Sequence, residues 1–141
     1  MAHEEFAHCC APLVGKRLLN VTLLDFTWSF EFERNVRIST EGHWRLVNPV
    51  HITASSEDHG QRFGLPADFD ALERVRAQLL GKCVTAASIT PRTGDLRVAF
   101  EDGHELQLLQ LSSGYEAWRL TGVGGNVYCL GSGKIVDGTS R

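Results

Sequence analysis

Histidine and cysteine side chains cluster near the N-terminus. His3, His8, Cys9 and Cys10 lie within eight residues of one another, and imidazole with thiolate is a donor set that zinc accepts. Zinc ligands in short motifs stand roughly two to four residues apart, and adjacent cysteines do not easily reach one ion. We therefore predict no metal site here and interpret the cluster as part of a flexible N-terminal arm.

Acidic and basic side chains also lie next to one another in two polar stretches. Glu57, Asp58 and His59 are consecutive, and His104 follows Asp102 by two residues. General acid/base catalysis needs such groups in a water-poor cleft that shifts their pKa values. A polar loop does not supply that environment by itself, so the stretch around His59 is interpreted as a solvated loop.

The sequence contains no recognisable nucleophile or phosphate-binding motif. The Ser112-Ser113-Gly114 stretch has no glycine two residues before either serine, which a nucleophile elbow requires. The glycine-rich segment TGVGGNV is followed by a β-branched run rather than a helix, so it predicts a turn. Cys83 and Cys129 are interpreted as buried thiols, and no cofactor is predicted.

Aromatic and guanidinium side chains are the remaining candidates. Trp28, Trp44 and Trp118 alternate with other apolar residues, which predicts that they pack in a core. Arg45 and Arg119 fall on the opposite face from their neighbouring tryptophans, where they could contact a partner. The candidate binding residues are Tyr115, Glu116, Arg119, Arg45, Trp44 and Trp118.

The composition indicates the class of protein that must position these side chains. The 141 residues are 43% hydrophobic and 22% charged, with a formal charge of −3, and they predict one globular domain over residues 1–141. The charge argues against a nucleic-acid partner. No apolar run is long enough for a membrane helix, and no signal peptide is recognisable, so we expect a cytoplasmic protein.

Two stretches of the chain resemble each other and predict a tandem repeat. GKRLLNVTL near the start matches GKCVTAASI further on, each is followed by an alternating strand, and each repeat ends on Trp-Arg-Leu. The predicted boundaries are repeat A at about 15–48, a linker and helix at about 50–80, repeat B at about 81–121, and C-terminal strands at 122–136.

The alternating strands predict which residues are buried. In repeat A the buried face is predicted to carry Phe26, Trp28, Phe30 and Phe32, and in repeat B it carries Leu96, Val98 and Phe100. A three-residue hairpin loop predicts that Phe32 pairs with Val36 in the first repeat. In the second repeat, a loop over Asp102 to His104 predicts that Phe100 pairs with Leu106.

One helix is predicted between the repeats. Phe69, Leu72, Val75 and Leu79 form an apolar stripe at helical spacing, with Asp68 predicted to cap the first turn. About ten short strands and this helix predict a mainly β fold, either an antiparallel sandwich or a partly closed barrel built from two tandem β-repeats.

The C-terminal half resembles a known domain family. FEDGHELQL, YEAWRLTG and VYCLGSGKI are similar to a small bacterial family of unknown function, common in actinobacteria, with an Asp-Gly hairpin and a Tyr-Glu-Ala-Trp segment. The resemblance covers roughly Leu13 to Val136. It implies a bacterial cytosolic protein and the β-rich fold, and it assigns no activity.

Three functions remain open at this point. The absence of a catalytic set favours a non-enzymatic protein-interaction module, either immunity-type or accessory. The first alternative is a small-ligand pocket between the repeats, lined by Trp44, Trp118 and Tyr115. The second is a small hydrolase-type enzyme that uses His59 or His104 with Asp58 or Asp102. An exposed edge strand would also allow homodimerisation.

Overall fold

The computed structural model describes residues 7–122 and 124–138, with the side chains of residues 7 and 8 excepted. Eleven strands in this part of the chain form two antiparallel sheets that pack as a sandwich. The first sheet has the order β1 (Leu18–Leu24), β2 (Thr27–Phe32), β3 (Arg37–Thr40), β9 (Trp118–Thr121), β10 (Asn126–Cys129) and β11 (Ile135–Asp137). The second has the order β5 (Ile52–Ser55), β4 (His43–Val47), β8 (Glu105–Leu109), β7 (Leu96–Phe100) and β6 (Val84–Ile89). The mainly β fold is confirmed, and the sheets do not close into a barrel within the described residues.

The core lies between the two sheets and follows the predicted alternation. In β2, Trp28, Phe30 and Phe32 are buried and their neighbours are partly exposed. Phe26 was expected on this buried face, and that prediction is wrong because its side chain is 82% exposed. The chain reverses at Asp25, whose φ of 55° places it in a turn, so Phe26 precedes the strand.

The two corresponding hairpins have loops of the same length. Phe32 N donates to Val36 O at 2.8 Å, as predicted, and Phe100 N donates to His104 O at 2.8 Å. Phe100 therefore lies opposite His104 rather than Leu106, so the predicted pairing is wrong by two residues. Leu106 pairs instead with Val98. The buried face is unchanged, because a shift of two residues keeps each side chain on its side of the sheet.

Each sheet combines strands from both halves of the chain. The first sheet joins β1, β2 and β3 to β9 and β10, and the second joins β6, β7 and β8 to β4 and β5. Where the halves meet, two backbone hydrogen bonds join corresponding positions of the predicted repeats in opposite directions. Gly15 N donates to Val84 O at 2.8 Å, and Gly81 N donates to Leu18 O at 2.9 Å. Two copies of one unit would pair in this way, although the duplication itself stays a prediction.

A helix covers one open side of the sandwich. This helix spans Ala71–Leu79 and buries Val75 and Leu79 as predicted. Arg76 Nε donates to Val21 O of edge strand β1 at 2.9 Å, and Arg74 reaches the Thr53 carbonyl of edge strand β5. The helix thus occupies backbone groups that would otherwise lie at two exposed sheet edges.

The helix begins two residues later than the predicted cap implies. Its N-cap is Asp70, whose carboxylate accepts from Glu73 N at 3.0 Å. Asp68 lies outside the helix and instead forms an exposed ion pair with Arg62 at 3.4 Å. The prediction of Asp68 as the cap is therefore wrong.

The N-terminal segment belongs partly to the core. A short helix (Ala7–Cys10) and the 3₁₀ turn Ala11–Leu13 pack against β6. Cys9 and Cys10 are each 1% exposed, which contradicts their interpretation as part of a flexible arm. The hydrogen bond with the Cys9 thiol, together with burial, raises the pKa of Cys10 far above its ordinary value. His3 and the side chain of His8 lie outside the described residues.

The longest helix in the described residues, Ala71–Leu79, has nine residues. Within the described residues, none of the helices combines the length and apolar character needed to cross a bilayer.

Candidate functional site

A cleft of about 750 Å³ opens at one end of the sandwich. It lies where the chain crosses between the two sheets, beside the turn that joins β1 to β2. The lining comprises Thr27, residues 39–43, residues 109–112 and residues 115–119. Both halves of the chain therefore contribute to it.

The two crossings that border the cleft differ in length. The first, from β3 to β4, uses only residues 41–42, whereas the second, from β8 to β9, uses residues 110–117. The longer crossing forms one wall of the cleft. Both crossings carry the chain from one sheet to the other, and the first does so with a much shorter segment. The extra length of the second crossing is therefore not needed to span the distance between the sheets.

The longer crossing is held in place by the Gln110 side chain. Its Nε2 donates to Tyr115 O and to Leu130 O, both at 2.8 Å, and its Oε1 accepts from Ser112 N at 2.8 Å. Ser112 Oγ then accepts from the backbone N–H groups of Gly114 and Tyr115. These bonds satisfy backbone groups in a segment that has no strand partner, so the crossing has a defined conformation.

Close backbone packing supports the same crossing from behind. A Cβ atom on Gly131 would lie 2.6 Å from the carbonyl carbon of Gly114, so a side chain at position 131 cannot be accommodated without movement. Ser132 adds two bonds at 2.9 Å, from its N–H to Ser112 O and from its Oγ to Ser113 O. The turn between β10 and β11 therefore buttresses the cleft wall.

The floor of the cleft joins the two crossings through Thr40. This residue is 4% exposed, and its Oγ1 donates to Ala117 O at 2.5 Å while accepting from Gly42 N at 2.9 Å. Beside it, Trp118 is 1% exposed and its Nε1 donates to Gly94 O at 2.8 Å. Satisfied polar groups of this kind fix the geometry of a buried floor.

The rim of the cleft carries exposed apolar side chains. Tyr115 is 82% exposed and Leu111 is 68% exposed. Leu24 at the end of β1 and Phe26 in the β1–β2 turn lie outside the lining, next in sequence to Thr27 and the turn, and are 75% and 82% exposed. Single exposed apolar residues are ordinary, but several around one concave site are characteristic of interaction surfaces.

The charged groups of the cleft are only partly neutralised. Glu116 pairs with Arg119 at 3.4 Å, and the Arg119 guanidinium lies 5.2 Å from the centre of the Tyr128 ring. His43 contacts Glu57 at 2.5 Å. Glu41 is exposed and has no ion pair among the described residues. With respect to the described residues, the cleft therefore presents a carboxylate that forms no ion pair.

The structure brings four of the six candidate binding residues together. Tyr115, Glu116, Trp118 and Arg119 all line the cleft. Trp44 does not, because it packs between the sheets with its ring 4.9 Å from that of Trp28.

The sixth candidate lies on another surface. Arg45 is on the outer face of the second sheet, where its Nε donates to Gln107 at 2.6 Å. Arg45 and Trp44 therefore do not contribute to the cleft surface.

Sequence reasoning missed the polar residues that shape the cleft. Thr40, Gln110 and Ser112 lie in no motif, and Glu41 falls in a short turn. A signal was present, however. The crossing before the repeated tryptophan has eight residues in the second half (110–117) and two in the first (41–42), so six residues of the second crossing are additional.

The two acid/base pairs considered from sequence lie outside the cleft lining. His104 Nδ1 is 2.8 Å from Asp102 Oδ2, and Lys82 Nζ lies 3.5 Å from the same oxygen. Burial opposes ionisation of Asp102, but the hydrogen bonds from His104 and the nearby positive charges outweigh it and lower the pKa. This pair belongs to the β7–β8 turn.

His59 has a packing role. Its Nδ1 accepts from Ala71 N at 3.1 Å, and its ring meets that of Trp28 edge-on, with the centroids 5.3 Å apart. The carboxylate within 4 Å of Nδ1 is that of Asp70, at 3.9 Å, rather than that of the adjacent Asp58. These contacts position the start of the helix.

Comparison with known proteins identifies a family. No curated protein and no solved structure gives a significant match to the chain. A model of a family of unknown function, DUF6188, matches residues 11–137, which include both sheets, the central helix and the whole cleft. The chain therefore belongs to the DUF6188 family.

Proposed function

We propose that the protein is a non-enzymatic interaction module that binds a protein partner at the cleft. The observation that carries the proposal is the longer β8–β9 crossing, residues 110–117. It is braced on two sides and presents Tyr115 to solvent. A braced segment with an exposed aromatic side chain suits recognition, because little ordering is required when a partner binds.

The chemistry of the rim favours a protein over a small molecule. Exposed Tyr115, Leu111 and Phe26 extend the apolar surface beyond the cleft itself. Aromatic side chains are enriched at protein interfaces, where a ring buries a large area at a low cost in conformational entropy. Glu116 and Arg119 add polar groups at the margin, as expected for the rim of an interface.

A small-ligand site is the second candidate function. A cleft of about 750 Å³ lies within the range of small-molecule pockets, and the hydroxyl groups of Thr27 and Ser39 in its lining could bond to a ligand. Tyr115 and Trp118 line it as that hypothesis requires, whereas Trp44 does not. A hydrolase-type activity has weaker support, because His59 and His104 lie away from the cleft.

The wider biological setting is part of the proposal. The resemblance of the C-terminal half to an actinobacterial family supports a bacterial protein, and the acidic composition is compatible with the cytoplasm. An immunity-type or accessory role would fit a small module of this kind, and homodimerisation through an edge strand remains a separate option.

Site-specific photocrosslinking tests the proposal. A photoreactive phenylalanine analogue would replace Tyr115 in one sample and Phe63, an aromatic residue that is 63% exposed and lies outside the cleft lining, in the control. The samples would be irradiated in an extract of the source organism. We expect one protein to be crosslinked through position 115 and not through position 63.

The crosslinked protein must then be purified and its affinity measured. We expect Tyr115→Ser to weaken binding by about tenfold or more, as for an interface hot spot. Capture of the same proteins through both positions, or unchanged affinity of Tyr115→Ser, would contradict the proposal. A small molecule that copurifies with the wild type and is lost in Tyr115→Ser would support the second candidate instead.

A further inference from the structure

We infer that the cleft binds a polypeptide segment in which a lysine or arginine stands beside apolar side chains. This inference rests on the proposed function and names the chemistry of the partner. The cationic group would lie against Glu41, and the apolar groups against Tyr115 and Leu111.

Glu41 is the basis for the cationic group. It lines the cleft, its side chain is exposed, and it has no ion pair with any described residue. The cations nearby are already engaged, since Arg119 contacts Glu116 and Tyr128, and His43 contacts Glu57. A cation from a partner would therefore meet an available carboxylate.

A second carboxylate strengthens the same preference. Asp25 is exposed at the tip of the β1–β2 turn, next to Phe26, and no ion pair involves it in the described part of the chain. Complementary charge steers association and suppresses wrong partners. Unpaired carboxylates at the cleft and its neighbouring turn disfavour polyanions such as nucleic acids and anionic membranes.

The apolar side chains are the basis for the rest of the segment. Tyr115 and Leu111 line the cleft, and both belong to the braced crossing. Association would remove these exposed groups from water without reorganising the backbone. In such a segment, the cation would pair with Glu41 and the apolar side chains would pack against Tyr115 and Leu111.

A second depression carries more cations than anions. It lies near the β2–β3 turn, and its lining comprises Val14, Gly15, Lys16, Leu19, Glu33 and Arg34. It suggests no ligand of its own. It does make a second copy of the chain an outcome that the experiment must exclude.

The test is selection from a random-sequence peptide library on the full-length protein. We expect the enriched peptides to contain lysine or arginine beside leucine, isoleucine or phenylalanine. Affinities would then be measured by fluorescence anisotropy for the wild type and for Glu41→Gln, Tyr115→Ser and Asp68→Asn. Asp68→Asn is the matched control, because it removes one exposed negative charge in the loop before the helix, outside the cleft lining.

The inference predicts a specific pattern. Glu41→Gln should weaken binding by about tenfold and reduce its salt dependence, while Asp68→Asn should change the affinity by less than about twofold. Tyr115→Ser should also weaken binding. All the substituted side chains are exposed, and unchanged circular dichroism spectra would show that the variants are folded.

Other patterns separate the two proposals. Enriched peptides that lack cations and depend on Tyr115 but not on Glu41 would overturn this inference and leave the proposed function standing. An equal loss in Asp68→Asn would also overturn it, because the effect would then be one of net charge. If no enriched peptide depends on Tyr115, both proposals fail. Concentration-dependent self-association that is lost in Glu41→Gln and Tyr115→Ser would identify a second copy as the occupant of the cleft and overturn the inference.

Discussion

Trp44 in β4 and Trp118 in β9 each lie two residues before a leucine, but their indole groups have different surroundings. Trp118 Nε1 donates to Gly94 O at 2.8 Å. Trp44 Nε1 is buried and has no hydrogen-bond partner in the described structure. The two residues therefore offer a matched pair for measuring the energy of one buried hydrogen bond.

We expect Trp118→Phe to destabilise the protein more than Trp44→Phe. Both changes remove ring atoms from the core, but only the first leaves a buried carbonyl, Gly94 O, without its donor, at a cost of about 1–3 kcal/mol. Urea unfolding of both variants would measure the difference. Equal losses of stability would show that the bond to Gly94 contributes nothing net.

Cys129 gives a pH dependence at the same scale. Burial raises the pKa of its thiol from 9.0 to about 11. Between these values the unfolded chain releases the thiol proton and the folded chain retains it. The free energy of unfolding should therefore fall as pH rises from about 9 to about 11, and the contribution of the thiol is fully present below that range.

The comparison with Cys129→Ala isolates this contribution. Other groups titrate in the same range, so the difference between the two proteins is the relevant quantity. We expect the variant to lose stability less steeply than the wild type in denaturant titrations across this range. Parallel curves would show that Cys129 does not titrate as described.

At the scale of elements, the helix start can be tested with two neighbouring aspartates. Asp70→Ala should destabilise the protein by about 1 kcal/mol, because it removes the side-chain acceptor for an N–H group of the first helical turn. Asp68→Ala removes only an exposed ion pair, whose contribution is small. Thermal unfolding would distinguish the two, and a larger effect for Asp68→Ala would restore it as the cap.

These elements also show how far the sequence could predict the structure. The apolar stripe through Val75 and Leu79 located the helix, because periodic burial is written directly into the sequence. The sequence does not decide between Asp68 and Asp70 as the cap, since both residues can accept a backbone hydrogen bond. The outcome depends on where Phe69 and His59 hold the incoming chain, through bonds such as Ala71 N to His59 Nδ1.

The second hairpin gives a similar lesson. The alternation around Phe100 predicted the buried face correctly, whereas the pairing was wrong by two residues. Apolar periodicity cannot distinguish registers that differ by two, because both bury the same face. Contacts of the turn decide the register, including the bond from His104 N to Asp102 Oδ1 at 3.1 Å.

At the scale of the whole molecule, the sequence predicted a mainly β fold but not the exchange of strands between sheets. Each half contributes three strands to one sheet and then crosses to the other. Local patterns contain no information about that crossing. The pairing of Ile38 with Leu120 and of Leu46 with Leu106 joins strands that are distant in sequence.

The cleft arises from the same exchange. Thr40, at the end of β3, bonds to Ala117 of the longer crossing, 77 positions away, so no sequence window contains the site. The sequence did single out Tyr115, Glu116 and Arg119 as surface candidates. It could not show that Glu41 lines the same cleft, because that depends on the pairing of β3 with β9.

NMR mapping of the bound peptide tests the central claim most directly. Adding the highest-affinity selected peptide to ¹⁵N-labelled protein should shift the amide signals of residues 39–43 and 109–119, and leave those of residues 14–19 and 33–34 unchanged. Shifts confined to residues 14–19 and 33–34, or spread evenly over both regions, would contradict the assignment of the cleft as the binding site.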